Sequence, residues 1–138
     1  MTAQTTLYSY LFVAAGGALG AMARYTLNLS LQQGTSVPWG TFASNLLGCL
    51  VMGVIAQLIA STTWFSNAGI VPDQYRLLFA VGFCGSFTTL SALVFEVNSM
   101  MQRNELFLSF SYLFGTLIGG FACFYVGAVA VKTLLADG

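Results

Sequence analysis

Histidine is absent and charge nearly so: four Lys/Arg and four Asp/Glu make up 6% of 138 residues. A soluble domain carries about 25% charged residues, so this chain cannot clothe a globular surface in water. Without histidine, zinc, haem and Ser–His–Asp chemistry lose their usual ligand or base. Without a basic patch there is nothing to neutralise phosphates, which excludes nucleic-acid binding. Cysteine is scarce, and the count of three is odd. Cys49, Cys84 and Cys123 each fall in an apolar run, where a thiol behaves as a small apolar group, and no disulfide is implied. What is abundant is hydrophobic residues, 57% of the chain. The composition is that of an integral membrane protein and not of an enzyme of any familiar kind.

The charges stand at Arg24, Asp73, Arg76, Glu96, Arg103, Glu105, Lys132 and Asp137, leaving uncharged runs at 1–23, 25–72, 77–95 and 106–131. A membrane-spanning helix needs about 20 mainly apolar residues. The first, third and fourth runs hold one span each. The longest is interrupted at 28–38 (NLSLQQGTSVP), a polar stretch with Gly34 and Pro38 that reads as a loop, after which a further span fits. The expected fold is all-α, one membrane domain over 1–138 with four transmembrane helices at about 7–29, 40–63, 76–101 and 105–133. Trp39 and Trp64 bracket the second span at headgroup level, and 61–74 makes the next loop. No Lys or Arg precedes the first apolar stretch, so a cleaved signal peptide is not expected and the first span stays.

Arg76 and Lys132 lie on one side of such a bundle, Arg24 and Arg103 on the other, so the positive-inside rule selects no orientation. A chain without bias inserts both ways. Two opposed copies then pair about an axis in the membrane plane, the two-chain equivalent of a transporter's inverted repeats. The alternative is a real bias hidden by the small number of charges. Gly16 and Gly20 in the first span, and Gly115 and Gly119 in the fourth, have the GxxxG spacing of close helix contacts. Ordinary packing within the chain accounts for most of these. An ion path through so small a protein needs a second copy.

Polar groups at membrane depth line paths or pair with one another. The second span has Thr41, Ser44 and Asn45 near its start. In the fourth, Ser109, Tyr112 and Thr116 share one helical face. Hydroxyl donors beside an amide, with no carboxylate or His in the middle of a span, suit a dehydrating anion better than a cation. The alternative is hydrogen bonding between helices. The third span contains Gly82-Phe83-Cys84-Gly85-Ser86-Phe87-Thr88-Thr89-Leu90-Ser91. Glycines followed by a Ser/Thr cluster predict a helix broken near its middle, with half-helix ends that suit a small ion; a plain kink competes. Arg24 can snorkel, supply positive potential to a vestibule, or pair with Glu96, which stands towards the end of the third span.

Taken together, GGALGAMAR (16–24), WGTFASNLLG (39–48), GFCGSFTTLSALVFE (82–96) and YLFGTLIGG in the fourth span resemble the Fluc (CrcB) family of bacterial fluoride channels. Motif order, spacing and length all agree over nearly the whole chain. The resemblance implies an antiparallel dual-topology homodimer in the cell inner membrane, exporting fluoride passively through two pathways. It implies a sodium ion at the dimer centre, held by the backbone carbonyls of Gly85 and Thr88 of both copies. It assigns the pathway to Asn45, Leu90, Ser91, Leu93, Tyr112 and Thr116, and the vestibule to Arg24 and Glu96.

The departures are specific. The family lines each pathway with two phenylalanines, whose positive ring edges face an anion; here Leu90 and Leu93 stand in those positions, and Ala92 replaces a threonine of the motif. Three explanations are open: passage on hydroxyl and amide donors alone, pairing with a homologue that supplies the rings, or drift to another ion or to a non-conducting subunit. The balanced charge favours the first, since a fixed-topology partner should show a bias. A dual-topology exporter of organic cations would need a membrane-embedded carboxylate, for which Glu96 is the one candidate.

Overall fold

A computed structural model of the chain describes residues 3–32, 34, 36–61 and 72–136, with the side chains of 3–5 and 72 left aside. The described residues are helical, without strand. Helix α1 is Ala3–Leu31 and α2 is Trp39–Ala60. A third span, Asp73–Gln102, joins α3 over 72–87 to α4, Leu90–Gln102. The final helix, α5, is Leu106–Ala136. Among the described residues, four helices are long and apolar enough to cross a membrane. The shortest has 22 residues and at 1.5 Å per residue spans about 33 Å, enough for a hydrocarbon core of about 30 Å.

The boundaries differ from expectation by a few residues, for local reasons. Helix α1 runs through the first residues of the expected loop because the Thr26 and Ser30 hydroxyls donate back to the Met22 and Thr26 carbonyls, at 3.0 and 2.9 Å. Polar side chains so satisfied need not leave the helix. The third span starts earlier than 76, with Asp73 in its first turn, where a carboxylate complements the helix dipole. Trp64 and the rest of 62–71, most of the loop expected over 61–74, lie outside the described residues.

Helix α1 packs on α3, and α2 on α5, with α4 against α5. Glycine lets backbones touch at both main crossings. A Cβ on Gly16 or Gly20 would overlap the Leu78 and Phe83 carbonyls of α3, so this GxxxG pair is used inside the chain. The α3 carbonyls it meets belong to wide π-helical turns over Arg76–Cys84. At the other crossing, a Cβ on Gly53 would overlap the Phe124 carbonyl, and one on Gly127 the Leu50 carbonyl. A three-residue turn closes α4 onto α5: Asn104 has φ 61°, and Glu105 N–H donates to the Met100 carbonyl at 3.0 Å, a left-handed helix stop. Near this turn Leu93, Val97, Met100 and Tyr112 form the buried apolar cluster.

Midway along the third span two residues leave helical geometry. Thr88 (φ −85°, ψ 155°) and Thr89 (φ −152°, ψ 119°) are extended, yet the joined helix bends by only 12°.

Candidate functional site

The extended pair rearranges the backbone hydrogen bonds around it. Thr89 N–H, which a continuous helix would give to the Gly85 carbonyl, donates to Asn45 Oδ1 at 2.7 Å. Asn45 Nδ2 donates to the Thr89 carbonyl at 3.2 Å. One residue further, the Thr89 hydroxyl caps α4: it accepts from Ala92 N–H at 3.2 Å, the donor that helical geometry would give to Thr88. The Gly85 and Thr88 carbonyls thus lack their helical donors. Between them, the Ser86 carbonyl accepts from Arg24 Nε at 3.1 Å. Gly85 is exposed and Thr88 half-buried, so the freed oxygens border the surface of the single chain. Among the described residues no cluster of three His, Cys, Asp or Glu could hold a metal ion; carbonyl oxygens are the ligands on offer.

Beside this segment lies an open cleft of about 430 Å³, lined by Asn45, Thr88, Leu90, Leu93 and Thr116, with Cys49, Phe121 and Tyr125 among its other walls. Two of its polar side chains, from α2 and α5, bear most on a ligand. Asn45 has a second N–H beyond the one given to Thr89. The Thr116 hydroxyl donates to the Tyr112 carbonyl at 2.7 Å and must rotate away before it can serve a ligand. The two leucines differ: Leu93 is 2% exposed and belongs to the apolar cluster, whereas Leu90, at 69%, stands in the open. Ser91 is exposed, its Oγ 3.2 Å from Thr89 Oγ1.

A second cluster sits nearer the α4–α5 turn. Glu96 stands towards the end of the third span, Asp73–Gln102, as expected, and its carboxylate is held by hydroxyls from two other helices. Thr41 of α2 donates to Oε1 at 2.6 Å, and Tyr112 of α5 donates to Oε2 at 2.8 Å. Thr41 is 1% exposed and Tyr112 5%. The bundle therefore holds one half-buried carboxylate between its helices, outside the middle of the span. No Arg24–Glu96 pair forms: Arg24 Nε reaches the Ser86 carbonyl, and Glu96 accepts from the two hydroxyls. The face of α5 predicted to carry a hydroxyl stripe points inward. Ser109 donates to the Val97 carbonyl at 3.1 Å, so Ser109 and Tyr112 serve interhelical hydrogen bonds and Thr116 alone of the three lines the cleft.

The structure thus gathers Asn45, Thr88, Leu90, Leu93 and Thr116 at one cleft, and sets Glu96 with Tyr112 in a second cluster. Two participants were missed. Thr89 performs the turn at the interruption, and its signal was a threonine immediately before an apolar helical run. Thr41 was read only as a polar residue near the start of its span; that it meets Glu96 needs the fold.

Comparison with known proteins gives a consistent answer. The profile of the family described as CrcB-like protein, Camphor Resistance (CrcB), matches residues 11–128. A protein of Chlorobium phaeobacteroides (strain BS1) named fluoride-specific ion channel FluC is 43% identical over 123 residues, 88% of this chain and 91% of the relative. Its namesake in Chlorobaculum tepidum is 41% identical over 123 residues, covering 88% and 93% of the two chains. That of Maridesulfovibrio salexigens is 36% identical over 133 residues, 95% and 100%.

Proposed function

The chain belongs to the CrcB-like protein family, and from that membership we propose that it is a fluoride channel, a passive conductor and not an enzyme, multi-pass in the bacterial inner membrane. The observation that carries the reading is the cleft at Asn45: an open, mainly apolar wall with an unspent amide N–H, next to a pair of extended residues that leave two carbonyls without helical donors. A small hard anion that sheds its water gains most from short hydrogen bonds to fixed donors, and larger anions gain less. Fluoride is drawn by the Arg24 charge and passes Asn45, Ser91 and Thr116 between Leu90 and Leu93. Tyr112 and Glu96 hold the far end of this track in shape.

One chain supplies one wall. The cleft is open in the single chain, and a second copy in the opposite orientation closes it. Gly85 supports the same reading. Its φ is −61°, which any residue adopts, and a Cβ there would have only the Ala80 carbonyl, at 3.9 Å, for a neighbour. Nothing in its own chain requires glycine, which suits a close approach from outside. We expect Gly85→Ala to fold as a wild-type subunit but to elute as a monomer and conduct no fluoride; a fully active Gly85→Ala dimer would remove this support.

Sodium fits the same place. The Gly85 and Thr88 carbonyls are released from their helical donors, and a hard monovalent cation takes oxygen ligands of this kind. Bound there, it would offset their partial negative charge and tie two copies together.

The reading is tested by reconstituting the purified protein alone in liposomes and following fluoride with an ion-selective electrode. Fluoride efflux with chloride retained is expected, and faster efflux for Leu90→Phe, whose ring adds a positive edge at an exposed position. A well-folded protein without efflux would sink the homomeric channel and favour a heterodimer in which a homologue supplies the phenylalanines.

A further inference from the structure

We propose that Asn45 is the positioning residue of the carbonyl site as well as a lining residue of the cleft, so that cation occupancy and fluoride passage are linked through one side-chain amide. The inference rests on the channel reading above and adds a physical connection between its two ions.

In lipid every backbone polar group must find a partner within the protein. The cheapest partner for Thr89 N–H is the Gly85 carbonyl one turn back, which would close the helix and consume the very oxygen a cation needs. Asn45 prevents this by offering a complete substitute: Oδ1 takes Thr89 N–H at 2.7 Å, and Nδ2 satisfies the Thr89 carbonyl at 3.2 Å. The amide has one acceptor oxygen and two N–H donors. The oxygen and one N–H hold Thr89 extended, and the second N–H is left for the cleft that Asn45 lines. Gly48, one turn along α2, lets that helix approach the same segment, since a Cβ there would overlap the Thr88 methyl. A change on either side of the amide moves the other. A cation drawing on the Gly85 oxygen favours the extended Thr89 that fixes the amide, and a fixed amide holds its free N–H in the anion's path. Binding free energies linked in this way are reciprocal.

Two substitutions separate the two jobs. Asn45→Asp still accepts Thr89 N–H, so Gly85 stays free, but it has no donor for an anion. Asn45→Leu has neither group, and Thr89 N–H returns to Gly85. The measurement is thermal stability of the purified protein, titrated from N-methyl-glucamine chloride into sodium chloride at constant ionic strength, beside fluoride efflux. For Asn45→Leu the sodium concentration giving half-maximal protection should rise about 10–100-fold, the usual penalty for losing a group that orients a ligand. For Asn45→Asp it should stay at or below the wild-type value, while fluoride efflux falls about tenfold or more. An unchanged half-point in Asn45→Leu, with efflux lost, would make Asn45 a lining residue only and overturn the proposal. A half-point raised in Asn45→Asp would overturn it too, and decides the matter if Asn45→Leu yields no folded protein. No sodium effect in the wild type would end both the sodium reading and this inference, while wild-type efflux would still stand for the channel.

Discussion

Gly127→Val is expected to leave no folded protein in the membrane fraction. A Cβ at position 127 overlaps the Leu50 carbonyl oxygen and crowds Val54 N, and the reciprocal Gly53 faces the Phe124 carbonyl. These obstacles are backbone atoms inside two helices, which cannot rotate aside as a side chain can. Relief requires α2 and α5 to separate along the crossing that joins Gly53 to Gly127, and with it the cleft wall they share. Overpacking a core costs about 1–3 kcal/mol where side chains can shift; a backbone overlap at a helix crossing lies above that range, against a total stability of about 5–15 kcal/mol. Gly115→Ala is the control. Its nearest neighbour would be a Phe42 ring carbon at 3.8 Å, an ordinary contact, so its yield and melting temperature should match wild type. The comparison is read from monodisperse peak area on size exclusion before and after heating. A folded Gly127→Val protein at wild-type yield would show that the α2–α5 crossing is not as close as described.

Glu96→Leu is expected to lose about 1–3 kcal/mol and most fluoride efflux. The substitution removes the acceptor for two buried hydroxyls on different helices, Thr41 of α2 and Tyr112 of α5, and a buried donor left without an acceptor costs about 1–3 kcal/mol. Both hydroxyls retain a weaker fallback: Tyr112 has the Pro38 carbonyl at 3.3 Å, and Thr41 has the Tyr112 oxygen within reach, but neither ties α4 to α2 and α5 as the carboxylate does. Glu96→Gln should fold at the wild-type level. Its oxygen accepts from Thr41, its NH₂ donates to the Tyr112 oxygen, and the phenol then turns its proton to Pro38. A Leu variant as heat-resistant as the Gln variant would show that the cluster contributes nothing to holding α2, α4 and α5 together.

Several features were legible because they depend on the one-dimensional pattern. Eight charges in 138 residues leave only lipid as a solvent, and their spacing marks four runs of spanning length. The glycine and Ser/Thr cluster at 82–91 marked the segment where the backbone does turn extended, although the helix carries on with a 12° bend. The motifs pointed to the family that the comparisons identify. Asn45, Leu90, Leu93 and Thr116 were named before the fold showed them round one cleft.

What the sequence could not reveal concerns pairs of residues far apart along the chain. Position 96 reads only as a charge towards the end of the third span, because helical periodicity reports which residues share a face and says nothing of what meets that face. Only packing brings Thr41 and Tyr112 to the carboxylate and takes Arg24 to Ser86 instead. Asn45 read as a donor lining a path, yet its oxygen and one N–H are committed to Thr89, 44 positions away. By itself, then, the sequence determined the solvent, the number of spans and the segment in which two residues turn extended, since each follows from transfer free energies and propensities summed locally along the chain. The tertiary structure decided which polar groups are spent and which remain free, because in a membrane interior each hydrogen bond is settled by whichever partner the neighbouring helix delivers.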